Sequence, residues 1–252
     1  MRRIHHVGIV VERLTRAYAF YRDVLGLPLI REAEIAEQGV KAALFAAGDS
    51  EVELLEPLGP ATPVGRFLAK RGEGLHHLCF ETADVGGSLA ELKNRGVALI
   101  DSVPRAGLAG QIGFLHPSAC SGVLVELATP PREETEEPPS PLRLKRLVIG
   151  AEDVRATAQT FQSLFGFTEV AMNGGPRTML AVGRGTLLVV PAHEVGGIAG
   201  MVALSFVAED FFALTAALRR ANTPRLDGTG EVTIEPQTTH GVHLHISRYM
   251  FP

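Results

Sequence analysis

The chain has little cysteine: Cys79 and Cys120 are the only two in 252 residues. That is too few for a disulfide framework and predicts a reducing compartment. It also has little excess charge. The net charge is −4, and its Lys and Arg are scattered without forming a basic stripe, so the electrostatic footprint of a nucleic-acid binder is missing. No apolar run approaches the length of a membrane span, and Met-Arg-Arg leads straight into a strand-like segment with no long apolar stretch between. These absences predict a cytoplasmic protein with neither a nucleic-acid nor a membrane partner. Its length suffices for one large core or two smaller ones.

What is present is a duplicated pattern with a break in the middle. TPPREETEEPPSP, residues 129 to 141, crowds five prolines and four glutamates together without an apolar residue. Such a stretch cannot pack and reads as an extended, solvated linker. The chain therefore divides into residues 1–128, a linker over 129–142, and residues 143–252. Each half contains two repeats of a strand, a helix and further strands.

In the first repeat of the N-terminal half, IHHVGIVV alternates, which sends Val7, Ile9 and Val11 to one face and His6 to the other. In RLTRAYAFYRDVLGL, Leu14, Ala17, Tyr18, Tyr21, Val24 and Leu25 fall at helical spacing, with Gly26 as the stop. VKAALFAAG and EVELLEP complete the unit as strands. TPVGRFLAKRGEG reads as a short bridging helix. The second repeat runs LHHLCFETA, a helix VGGSLAELKNRG ended by Gly96, then QIGFLHP and GVLVELA.

Four residues stand at matching points of these repeats. His6 and Glu53 are 47 residues apart, and His77 and Glu126 are 49 apart. Each repeat thus supplies one imidazole from a His-His strand and one carboxylate from a later apolar strand. A divalent first-row metal accepts imidazole nitrogen and carboxylate oxygen, and Co, Ni, Mn and Zn all suit such donors. Glu126 lies in a strand whose other residues are apolar, where a buried carboxylate is costly without a partner, and a metal supplies one. The set His6, Glu53, His77 and Glu126 is therefore read as holding one divalent ion, in an enzyme whose metal polarises a substrate oxygen.

Other candidates have blander readings. His5 and His76 have the opposite parity and are taken as non-ligands. Cys79 shares the face of His77 and reads as a small buried thiol. Glu51 has ligand parity but stands at the strand entrance, where it is expected to be solvated. His240, His243 and His245 cluster without a matching carboxylate.

The C-terminal half repeats the pattern in weaker form: LKRLVIGAED, a helix TAQTFQSLFGF, TLLVVPA, MVALSFVAED, a helix FFALTAALRRAN, and GVHLHIS. Laid on the first half, the ligand positions become Arg146 or Leu147, Leu187, Ala203 and His245. The metal set is lost, so this half reads as a structural copy without the chemistry.

The runs EQGV (37–40), VELLEPLGPATPVGRFLAKRGEGLHHLCFE (52–81) and FLHPSACSGVLVELA (114–128) resemble the methylmalonyl-CoA epimerase family of the vicinal oxygen chelate (glyoxalase/bleomycin resistance/dioxygenase) superfamily. The resemblance covers residues 4 to 128. It implies an α+β fold of tandem βαβββ modules curling into an open, incompletely closed barrel around a divalent metal, and the repetition predicts two such barrels per chain. It also implies that the ligands are His6, Glu53, His77 and Glu126, with glutamine in the place of Glu53 in some relatives. The implied reaction inverts the carbon alpha to an acyl-CoA thioester through an enolate, with Glu126 exchanging the proton.

Two features depart from that family. Some of its members carry a glutamate two residues after the valine of the QGV run, where this chain has Ala42, so the second acid/base is unassigned. Glu37 and Lys41 are nearby, one before the strand and the other of the wrong parity. The family's chains are also usually single units that pair as homodimers, whereas here a second copy is fused and can form a pseudo-dimer within one chain. The alternatives are a glyoxalase I-type lyase, with a similar His/Glu/His/Glu set, and a non-catalytic small-molecule-binding or resistance protein of the same superfamily.

Overall fold

A computed structural model describes residues 1–131 and 138–248. Of the extended, solvated linker expected over 129–142, residues 132–137 fall outside the described residues. Strand β1 (Ile4–Val10) is buried along its whole length. Helix α1 (Leu14–Tyr21) buries the stripe Leu14, Ala17, Tyr18 and Tyr21. It ends earlier than the apolar spacing predicts. The backbone N–H groups of Val24 and Leu25 bond to Phe20 O, which curls the chain toward Gly26, whose φ of 73° places it in the left-handed region. Strands β2 (Leu29–Ile35), β3 (Val40–Ala46) and β4 (Glu51–Pro57) follow.

The bridging segment forms helix α2 (Pro63–Arg71). The Thr62 hydroxyl caps it by accepting from Gly65 N, and Pro63 stands at its start, where no N–H is needed. Gly65 has to be glycine, because a Cβ there would lie 2.2 Å from the Gly59 carbonyl oxygen. The second module then comprises β5 (Gly74–Glu81), α3 (Val85–Asn94), β6 (Arg105–Gly107), β7 (Gly110–Leu115) and β8 (Val125–Thr129).

These eight strands form one sheet in the order β2-β3-β4-β1-β5-β8-β7-β6. Each βαβββ module contributes four neighbouring strands, so β4, β1, β5 and β8 occupy its centre. β3 and β4 pair antiparallel, whereas β5 and β8 pair parallel. Both sheet edges, β2 and β6, went unrecognised in the sequence. LIREAEI is mostly exposed, and an edge strand needs no continuous apolar face.

The second half repeats the design with β9 (Leu142–Ala151), α4 (Val154–Phe165), β10 (Thr168–Val170), β11 (Thr178–Val182) and β12 (Gly185–Pro191), then β13 (Gly200–Ala208), α5 (Phe211–Arg220), β14 (Leu226–Gly228), β15 (Glu231–Ile234) and β16 (His243–Ser247). Asp153 and Asp210 cap the two helices through their side chains. The strand order β10-β11-β12-β9-β13-β16-β15-β14 reproduces that of the first sheet. The chain is thus a tandem of two eight-stranded units, each of two βαβββ modules. Among the described residues, no helix is long and apolar enough to cross a membrane.

Packing divides the chain differently from the sheets. Two compact units form: one centres on the second and third modules, the other on the first and fourth. In one unit, the Phe80 ring on β5 lies 5.1 Å from Phe165 and 5.0 Å from Phe167, and Arg95 Nη2 donates to Ser163 O at 2.7 Å. In the other, the hydroxyl of buried Tyr21 donates to Thr239 O at 2.9 Å. His240 Nδ1 meets Glu73 at 2.9 Å, and Leu144 N donates to Ala47 O at 2.9 Å.

Candidate metal centre

The four central strands of the first sheet each carry one residue of the expected set: His6 on β1, Glu53 on β4, His77 on β5 and Glu126 on β8. Register puts Cys79 opposite Glu126, so His77, two residues before Cys79, shares Glu126's face. All four side chains are buried, with residue exposures of 0% for His6, 6% for Glu53, 2% for His77 and 3% for Glu126. They converge. The Nε2 atoms of His6 and His77 are 2.9 Å apart, and Glu126 bridges them, its Oε1 3.7 Å from His6 Nε2 and its Oε2 3.6 Å from His77 Nε2. One ligand atom each from His6, Glu53 and His77 lies within 4.8 Å of the others.

This donor set fits a divalent cation. Two carboxylates buried beside two imidazoles carry a desolvation cost that a cation offsets. The His6 imidazole is suited to be a ligand because burial, with His77, His5 and Arg3 adding to it in that order, holds it well below its usual pKa. A neutral ring keeps the lone pair that a metal needs.

His5 plays a part that its parity concealed. Its Nδ1 lies 3.0 Å from Nδ1 of His6, and burial, reinforced by Arg3 and partly opposed by Glu81, pushes its pKa down to about 4. If His6 offers Nε2 to a metal, its Nδ1 carries the proton and donates to His5, which fixes tautomer and ring orientation. The His-His doublet was the available signal. His5, His6 and Cys79 form a second convergent group, but it shares His6 and contains no carboxylate.

The surrounding wall is largely apolar. Phe114 pairs with Glu126 across β7 and β8, and its ring meets that of His77 edge-on at 5.4 Å. Arg105 on β6 pairs with Ile112 and so shares this face. Its guanidinium lies 5.4 Å from the Phe114 ring centre, and its Nε lies 3.2 Å from Asp101 Oδ2. Nothing in its sequence context singled out Arg105.

Ala42 is fully buried and pairs with Leu55 on the face that carries Glu53, so the wall has a methyl group there and no acid. Lys41 points to the opposite face and pairs with Glu32 at 2.7 Å. Glu37 lies in the short turn before β3, exposed. Glu51, expected in solvent, is only 7% exposed. It opens β4 opposite Ala46, already inside the sheet.

In the second sheet, Ser205 pairs with His245 as Cys79 pairs with Glu126. Ala203 and His245 thus take the places of His77 and Glu126. Arg146 faces Thr186 across β9 and β12, while Leu147 and Leu187 are fully buried on the other side. Among the described residues, convergent ligand groups occur only in the first sheet.

Residues 5–115 match the family model of the Glyoxalase/Bleomycin resistance protein/Dioxygenase superfamily. The uncharacterized protein YqjC of Bacillus subtilis is 41% identical over 138 residues, 54% of this chain and 99% of that protein. The mitochondrial methylmalonyl-CoA epimerase of Bos taurus is 37% identical over 127 residues, 50% of this chain and 73% of that one. Among solved structures, a glutamate-to-glutamine variant of Streptomyces coelicolor methylmalonyl-CoA epimerase in complex with 2-nitronate-propionyl-CoA is 40% identical. Its TM-score is 0.50, covering 52% of this chain and 98% of that one. A mutant of 4-hydroxymandelate synthase from Streptomyces coelicolor matches 100% of this chain and 95% of its own at a TM-score of 0.73 and 15% identity, a likeness of fold alone.

Proposed function

Because the chain belongs to the methylmalonyl-CoA epimerase family of the glyoxalase/bleomycin resistance/dioxygenase superfamily, we propose that it is a metal-dependent isomerase. It removes and returns the proton alpha to an acyl-CoA thioester, methylmalonyl-CoA or a close relative. The observation that carries this reading is the convergence of two buried imidazoles and two buried carboxylates at the centre of the first sheet. Residues 1–128 are the metal-binding catalytic domain in this reading, and 143–252 a metal-free copy joined through 129–142.

His6, Glu53, His77 and Glu126 would hold one divalent ion, Co, Ni, Mn or Zn. When bound, such an ion supplies positive charge to substrate oxygens and so acidifies the neighbouring carbon. The rest falls to the chain. His5 holds the His6 ring, and Phe114 holds that of His77. Glu126 takes the alpha proton on a carboxylate oxygen and gives it back. Arg105, stacked on Phe114, presents a guanidinium to an anionic substrate. Inversion also requires a proton delivered to the opposite side of the carbon. With a methyl group at Ala42, water has to deliver it, so exchange of the alpha proton should outrun inversion.

The test is proton exchange of methylmalonyl-CoA in D2O by NMR with metal-loaded protein, alongside circular dichroism of the same substrate and a hemithioacetal isomerisation assay. Exchange faster than inversion, with Ala42→Glu narrowing the gap, is the expected result. No exchange at any metal loading would leave a binding protein, which the missing acid at Ala42 favours. Turnover of the hemithioacetal alone would make the chain a glyoxalase I-type lyase.

A further inference from the structure

We propose that the second sheet has a ligand site of its own, in which the guanidinium of Arg146 receives the carboxylate of a short-chain organic acid. Arg146 lies on β9, the first strand of its half as β1 is of the other, and faces Thr186 on β12. Its Nε donates to Thr186 Oγ1 at 3.2 Å and its Nη2 to Met179 Sδ at 3.4 Å. A thioether is a weak acceptor, and a guanidinium has five N–H donors. Among the described residues, Arg146 makes no ion pair and Nη1 makes no hydrogen bond.

That sets Arg146 apart from other arginines drawn into the protein surface. Arg3 pairs with Glu81 at 2.6 Å, Arg105 with Asp101 at 3.2 Å and Arg143 with Glu209 at 3.6 Å. Arg146 is half-buried, and burial alone pulls its pKa down, with no acidic neighbour to oppose it. With part of its surface drawn from water and no counter-ion in place, the guanidinium has donors free to pair with an anionic ligand.

The surroundings suit a small acid with an apolar tail. Val148, Ala181, Thr186 and Leu188 on the face of Arg146 are all half-exposed, while the alternating Leu147, Ile149, Leu187 and Val189 are fully buried. This face is therefore open to solvent beside aliphatic side chains. The planar fork of the guanidinium matches a carboxylate in bidentate geometry. In the first sheet a bound ion would provide the positive charge. In the second, a fixed side chain does.

Isothermal titration calorimetry with propionate, succinate and inorganic phosphate decides the matter, using wild type, Arg146→Met, Arg146→Lys and His77→Ala. The expected result is carboxylate binding in wild type and His77→Ala, weakened at least about tenfold in Arg146→Met, as befits a lost charge-assisted hydrogen bond, and partly kept in Arg146→Lys. No carboxylate binding by wild type, equal binding by Arg146→Met, or loss in His77→Ala would each overturn the proposal. So would binding of phosphate in preference to the acids. Should Arg146→Met fail to fold, the Arg146 Nε resonance of labelled wild type is followed during titration. It should shift with propionate, and an unmoved signal refutes the site.

Discussion

The two sheets agree in strand order and in how their modules are laid down, yet their corresponding faces differ in kind. In the first, His6, Glu53, His77 and Glu126 are all nearly sealed from solvent. In the second, Arg146, Thr186 and His245 are half-exposed and only Ala203 is buried. His245 settles on Glu231 at 3.0 Å, at an exposed position. Four buried polar groups persist only where something compensates them, whereas an open face can carry polar groups that water satisfies. The scaffold thus does not dictate the chemistry. A handful of strand positions does.

The sharpest way to break this contrast is metal stoichiometry. Purified wild type should contain one divalent ion per chain, and His77→Ala close to none with its exchange activity gone. Ala203→His, the reciprocal change in the second sheet, should leave the count at one. Two ions per wild-type chain, or full occupancy in His77→Ala, would erase the distinction.

Next comes Glu126. Glu126→Gln keeps the size and one oxygen donor but loses the basic oxygen, so alpha-proton exchange should fall by roughly 10²–10⁴-fold with metal partly retained. His245→Gln should leave exchange unchanged, and equal losses in the two variants would argue against a chemical role for Glu126.

A third change addresses packing. Phe80→Ala deletes a fully buried ring lodged against Phe165 and Phe167 and should cost about 3–5 kcal/mol in urea unfolding. A loss under about 1 kcal/mol would mean that this contact contributes little.

The smallest effect is expected at Glu53. Glu53→Gln preserves an oxygen ligand and should lower exchange by less than about tenfold. If it abolished turnover while Glu126→Gln did not, the roles of the two carboxylates would be exchanged.

Much of this was readable in advance. Strands β1, β4, β5 and β8 announced themselves because they are apolar runs interrupted by imidazoles or carboxylates, and duplication marked which interruptions matter. The edge strands were illegible for the opposite reason. Exposed LIREAEI and the three-residue β6, β10 and β14 bury too little to leave a period. His5 escaped because parity reports the direction of a side chain and not the neighbour its ring reaches. Arg105 required the sheet's lateral register, and Arg146 required knowing which arginines have acidic partners. Neither is encoded in local spacing.

The pairing of modules from opposite halves sets an order of assembly during synthesis. Tyr21 bonds to a carbonyl 218 residues further along, and the ring of Phe80 lies against Phe165 and Phe167. A ribosome that has delivered residues 1–129 holds every strand of the first sheet, yet neither of these partners exists. Tyr21 and Phe80 stay uncovered until translation reaches the far half, and closing so distant a contact is slow. The nascent chain therefore passes through a stage in which the proposed metal ligands are all present while its apolar surface is exposed to chaperones and to self-association.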